Sequence, residues 1–304
     1  MNFYSRGKLL ISGEYLVLKG ATSLAVPLTK GQTMKVDETA GEGLLRWRSC
    51  EMGKEWFTLL MRNRFFEIVE TTDIGVAETL IGWLKAAKRL NPGFLDQTIN
   101  YSVDTDLQFY REWGFGSSSS LLANLAEWSG TDPFKLSRKA TKGSGYDVIA
   151  ARKNEPFYFK LEKEGFVAEN ALFRPLFRNR LYFVYLGQKQ NSQTSVEGFL
   201  EKRKQYRPEK RMISELSRLL AEAPSLKDFE YYMNEHNIIM SAVLKTPDLK
   251  SDRFADLNGE IKPLGAWGGD FAMMTWNEEP EQISTFLHNK GISTYFTFDE
   301  LIKA

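Results

Sequence analysis

GFGSSSSLL, residues 114–122, sets two glycines and four consecutive serines directly before an apolar pair. Gly114 and Gly116 let the backbone turn tightly and approach a ligand. Ser117, Ser118, Ser119 and Ser120 place hydroxyls and backbone amides where the helical pattern SSLLANLAEWSG begins. A helix leaves its first N–H groups without an intrahelical acceptor and has the positive end of its dipole there, so this kind of start is suited to a phosphate. The same residues also fit a serine-rich N-cap on an ordinary helix. They match neither a Walker loop, which needs Gly-Lys-Ser/Thr, nor a dinucleotide fingerprint.

Outward from this loop the chain alternates strand and helix signals. On the N-terminal side, LLI, YLVL and SLAV between residues 8 and 26 predict two or three strands separated by the turn signals SGE and KGAT. VAETLIGWLKAAKRL (76–90) spaces its apolar residues as a helix does and stops at Asn91-Pro92-Gly93, and INYSVDTDL (99–107) alternates as a strand. On the C-terminal side, DPFKLSRKA predicts a helix, FYFKLEKEGF and RLYFVYLG strands, and TSVEGFLEKRKQY, RMISELSRLLAEA and FEYYMNEHNIIMSAVL helices. FAMMTW, EQISTFLHNKG and STYFTF follow as strand, helix and strand. This mixture predicts an α+β protein, with residues 1–170 as an N-terminal domain and 171–304 as a C-terminal one, because the helix-rich portion starts there.

Composition limits the partners. With 304 residues, 42% of them hydrophobic, the chain can bury a large core. The 40 basic and 39 acidic residues nearly cancel, so no global field points to nucleic acid and a partner must be recognised locally. A single cysteine, Cys50, leaves no internal disulfide and no cysteine-based zinc cluster, which fits a reducing cytoplasmic setting. The N-terminal apolar stretch is broken at Ser12-Gly13-Glu14, and the expectation is neither a signal peptide nor a membrane span. A serine hydrolase is disfavoured, since there is no G-x-S-x-G elbow and only two histidines could serve as base.

Three further glycine-bearing stretches accompany the serine loop: GKLLISGEYLVL (7–18), GSGYDVIAA (143–151) and LGAWGGDFAMM (264–274). In this order, the four stretches resemble the motif set of the GHMP kinases. GEYLVL, GSGYDV, GGD (268–270) and LGQKQNSQTSVEGFLEK (186–202) look most like the phosphomevalonate kinase branch, and Leu136 stands where mevalonate kinases carry a metal-binding Glu, eleven residues before the catalytic Asp. Departures are Arg6 for Pro, Phe115 for Leu, Ser119 for Ala and Trp267 for Gly. Trp267 either points over the acceptor pocket or reports a changed substrate.

The resemblance implies a two-domain GHMP kinase fold, with an N-terminal domain like ribosomal protein S5 and a ferredoxin-like C-terminal one. It implies ATP and Mg²⁺ as cofactors and a small-molecule acceptor, with no nucleic acid or membrane partner. Phosphoryl transfer needs a cradle for the triphosphate, an oriented nucleophile and positive charge against the developing negative charge. The serine loop would be the cradle, with Ser118 also a Mg²⁺ ligand. Asp147 would act as base or orienter of the acceptor, and Lys8 would neutralise the reacting oxygens. Substrate contacts would come from Glu14, Tyr15, Ser144, Gly145, Lys189, Asn191, Ser192, Thr194, Gly265, Ala266, Gly268 and Gly269. Read without the motifs, Asp147 is a turn or cap residue, Lys8 a solvated lysine, the 191–194 polar residues a helix cap and the 202–211 basic run a solvated helix face. His236 reads as a core histidine. Alternatives to a phosphomevalonate kinase are a mevalonate or other GHMP acceptor kinase and a catalytically silent metabolite-binding protein on the same fold.

Overall fold

A computed structural model describes residues 1–141, 143–187, 192–201, 205–265 and 271–302, and for residues 192–196 the backbone alone. The chain forms two compact units. The first comprises Met1–Gly7, Lys30–Arg111 and Phe115–Arg152, the second Lys8–Thr29, Glu112–Gly114 and Lys153–Ala304. Strands β1 (Asn2–Ser12) and β2 (Ser23–Ala40) each run from one unit into the other, and such long strands carry no local mark of where the packing changes.

In the first unit, β3 (Leu44–Glu51) and β4 (Lys54–Arg62) form a hairpin around Met52 and Gly53, both at positive φ (51° and 76°), the geometry that suits a two-residue turn to the twist of its strands. Strand β5 (Glu67–Thr71) adds to β4. Helix α1 (Ile74–Leu90) follows, capped by the Asp73 carboxylate, which accepts from the Val76 N–H at 3.1 Å. It buries Leu80, Ile81 and Leu84, the stripe that its apolar spacing predicts. Strand β6 (Ile99–Leu107) pairs in parallel with β3 and antiparallel with the later part of β2, from Gln32 to Ala40. Helices α2 (Ser117–Trp128), α3 (Pro133–Ala140) and α4 (Tyr146–Ala150) pack on one another, and α1 packs on α2 and α3.

In the second unit, β7 (Phe157–Leu161) and β8 (Phe166–Asn170) form a hairpin, with β7 paired to the first residues of β2. Strand β9 (Leu181–Tyr185) leads through helices α5 (Ser192–Glu201), α6 (Arg207–Ala221), α7 (Leu226–Leu244) and α8 (Leu249–Arg253) to β10 (Ile261–Leu264). Strand β11 (Phe271–Thr275), helix α9 (Ile283–Asn289), strand β12 (Tyr295–Thr297) and helix α10 (Phe298–Leu301) complete it. The four strands pair antiparallel in the order β10-β11-β9-β12, over a core that includes Tyr182, Val184, Phe254, Ala272 and Met274.

Of the two or three strands expected between residues 8 and 26, two form, β1 and the start of β2. YLVL forms a short 3₁₀ turn, Leu16–Lys19, because Gly13 (φ 89°), Tyr15 (φ 58°) and Gly20 (φ 83°) turn the chain out of the extended path, and the turn buries Leu16 and Val17 instead. Among the described residues no helix is long and apolar enough to cross a membrane.

Candidate functional site

Helix α2, opened by the serine run, and helix α4, opened by GSGYDV, pack together within the first unit. Each helix has a left-handed glycine as its N-cap, Gly116 (φ 89°) for α2 and Gly145 (φ 83°) for α4, and neither has a side-chain cap. Capping by a serine hydroxyl is thus not how α2 begins. By contrast, α1, α3 and α7 are closed by the side chains of Asp73, Asp132 and Ser225. Gly145 is also sterically required, since a Cβ there would lie 2.8 Å from the Phe134 ring.

The four serines divide. Ser119 and Ser120 are buried: the Ser119 hydroxyl donates to the Gly116 carbonyl at 2.9 Å, and Ser120 Oγ lies 2.8 Å from Gln32 Oε1. The Asn124 amide donates to the Gln32 carbonyl (3.0 Å) and accepts from the Ser5 hydroxyl (2.7 Å), so a buried polar chain pins α2 to β1 and β2. Ser117 is half-buried and Ser118 exposed. The two departures from the family pattern in this loop fit the packing. Phe115 is fully buried against Phe109, and Ser119 satisfies its hydroxyl one turn back, so it can stand in the place of an apolar residue.

Asp147 lies half-buried in the first turn of α4, its carboxylate accepting from the Val148 N–H at 3.0 Å, and Ser144 beside it is buried. Leu136 is a fully buried core residue of α3, so the place implied for a metal-binding carboxylate belongs to the apolar interior. Among the described residues no group of three or more His, Cys, Asp or Glu side chains could hold a metal ion.

In the second unit Lys8 projects from β1 and donates to the Gly114 carbonyl at 3.1 Å, at the entry to the serine loop. Tyr15 sits at an unusual positive φ, with its ring 5.3 Å from that of Phe199 on α5. Glu14 is 1% exposed and forms a buried ion pair with Lys262 on β10, while its other oxygen is 3.1 Å from His236 Nε2 on α7. Gly265, at φ 70°, directly follows β10. Lys189, Asn191, Ala266, Trp267, Gly268 and Gly269 lie outside the described residues. Ser192 and Thr194 fall in the first turn of α5, where only the backbone is described.

Sequence reasoning missed Lys262 as Glu14's partner, and it missed Gln32, Asn124 and Ser5. None of these has a local signal, because each matters through a contact distant in the chain. His236 is, as its helical setting suggests, a core residue. Burial and the Lys262 ammonium push its pKa down to about 4 despite the pull of Glu14, so it is neutral near pH 7. Burial raises the Glu14 carboxyl, but Lys262 and His236 more than offset this and hold it below its ordinary value.

A pH dependence follows. The unfolded chain protonates this imidazole below about pH 6.5 and the folded protein only near 4, so its contribution to stability is complete above pH 6.5 and is lost as the pH falls toward 4. Between pH 7 and 5 the expected loss is roughly 2 kcal/mol. Urea midpoints at the two pH values measure it. In His236→Gln the difference should shrink, and an equal difference in parent and variant would assign the effect to another group.

A separate cavity of about 630 Å³ in the first unit is lined by residues including Tyr4, Lys35, Arg48, Cys50 and Asp104. No residue expected in the site lines it. Lys35 pairs with Asp37 and Arg48 with Asp104, and the Asp106 carboxylate accepts from the Gly53 N–H at 3.1 Å.

No family model and no curated protein matches the sequence. Solved structures do. The mevalonate kinase of Methanococcus jannaschii superposes with a TM-score of 0.70 at 16% identity, over 97% of this chain and 96% of that one. The Streptococcus pneumoniae phosphomevalonate kinase, in complex with phosphomevalonate and AMPPNP, gives 0.70 at 16% over 98% and 99%. Lactococcus lactis galactokinase, complexed with galactose, gives 0.66 at 11% over 97% and 92%. The chain has the GHMP kinase fold.

Proposed function

We propose that the protein is an ATP-dependent small-molecule kinase of the GHMP type, with phosphomevalonate as its acceptor. The observation that carries this reading is the amino end of α2. A left-handed glycine and no side-chain cap leave its first-turn amides for an anion, with Ser117 and Ser118 on the outer side, on a fold that kinases share. These residues fit the phosphates of a nucleoside triphosphate, which supplies the transferable phosphoryl group. They also fit Mg²⁺ with Ser118 as its protein ligand, a hard oxygen donor, the remaining ligands being phosphate oxygens and water. Asp147 would orient the acceptor oxygen and take its proton where it carries one. Lys8 would offset negative charge at the reacting oxygens.

The acceptor assignment rests on the motif resemblance, on Leu136 in place of a metal-binding Glu, and on the phosphomevalonate that one neighbour of the same fold binds. A phosphorylated acceptor must meet positive charge, for which Lys189 and the 202–211 basic run are candidates, with Asn191, Ser192 and Thr194 as polar contacts. Gly265, Ala266, Gly268 and Gly269 would supply backbone contacts.

The test is a panel of acceptors with ATP and Mg²⁺, read by ADP release. Phosphomevalonate should be turned over well above mevalonate and galactose, and Lys189→Ala should raise the acceptor KM more than the ATP KM. Faster turnover of mevalonate would move the assignment to a mevalonate kinase. ATP binding without turnover of any acceptor would leave the silent metabolite-binding reading.

A further inference from the structure

Glu14 and Lys262 stand 248 positions apart and form an ion pair in which both side chains are fully buried. An interior charge pair is costly to desolvate, and replacing one with apolar residues often leaves stability unchanged or higher. Its value to a protein is therefore sought in what it holds in place. The Lys262 ammonium also donates to the Pro263 carbonyl at 3.1 Å, in its own strand β10. Consecutive residues of α7 grip the same two segments: His236 Nε2 accepts from the Gly13 N–H at 3.3 Å, and the Asn237 amide donates to the Ile261 carbonyl at 2.8 Å. The contacts close a ring through three elements of the second unit: the Gly13-Glu14 turn, α7 and β10.

Both gripped segments lead to residues given roles above. The turn follows β1, which carries Lys8, and Gly265, in the third glycine motif, follows β10. We propose that Glu14, Lys262, His236 and Asn237 form a buried positioning ring that holds the end of the Lys8 strand in register with Gly265. Resting on the kinase reading, this makes Glu14 a positioning residue and not a substrate ligand. Burial of its carboxylate agrees, since a side chain 1% exposed and held by an ammonium presents no oxygen to an acceptor.

Single substitutions such as Lys262→Met strand a buried charge and are expected to unfold the protein, so the informative variant removes both charges. In full-length Glu14→Leu/Lys262→Met, thermal melting should stay near the parent. With ATP and phosphomevalonate, kcat should fall about 100-fold, as for a small misplacement of reacting groups, with both KM values little changed. Amide hydrogen exchange should quicken in peptides covering residues 13–19 and 261–265 and not in those covering α1. A double variant with parental kcat and exchange would refute the ring, as would one that fails to fold, which would make the pair a stability element. A raised acceptor KM at parental kcat would make Glu14 a direct ligand and refute it too. If the parent turns over no acceptor, the kinase reading fails, yet the exchange measurement still decides the ring: localised quickening upholds it and its absence overturns it.

Discussion

Asp147→Asn should bind ATP as the parent does and turn over about 10²–10⁴-fold more slowly, the usual worth of a positioned acid–base group. The substitution is nearly isosteric, and the amide oxygen can still accept the Val148 N–H that Asp147 accepts at 3.0 Å, so the first turn of α4 is kept. What disappears is the negative charge that would orient the acceptor and receive a proton. Nucleotide affinity by calorimetry, melting temperature and the rate of ADP release separate the possibilities. Unchanged melting and affinity with slow turnover assign the chemistry to Asp147. Turnover close to the parent's would remove it from the mechanism and leave it a helix-terminus residue.

Gly116→Val should lose nucleotide affinity by at least about 100-fold. Gly116 holds φ at 89°, a region that costs a non-glycine residue about 1–3 kcal/mol and is worst for a β-branched one. Relief of that strain would swing the first-turn amides of α2 away, and each hydrogen bond to a charged phosphate is worth about 1.5–3 kcal/mol. The branched side chain would also take up space beside the outward serines. Ser118→Ala should be much milder and should raise the Mg²⁺ concentration required for activity. Circular dichroism checks that α2 and the fold survive. A folded Gly116→Val protein that binds ATP with parental affinity would reduce the serine run to the start of a helix.

The parts of the molecule that could be read in advance are those written in local pattern. The apolar stripe of α1 ends at Asn91-Pro92, and Asp132-Pro133 opens α3, because caps and periodicity act over a few residues. YLVL misleads for the opposite reason. Its composition favours a strand, but flanking residues at positive φ bend it, and burial of Leu16 and Val17 outweighs propensity.

The same division runs through the site. Local pattern alone shows that a glycine-serine run opens a helix, that a second glycine turn carries Asp147, and that the motifs occur in the order of the GHMP kinases. Which way each serine faces is set by packing. Ser119 and Ser120 turn inward because Gly116 and Gln32 offer acceptors there, and Gln32 comes from a strand more than eighty residues earlier in the chain. Only the tertiary structure, likewise, joined Glu14 to Lys262. Local pattern records the period and the ends of an element, whereas the partner of a buried charge is whatever the packing brings to it, and a charge that cannot reach water is held by that partner.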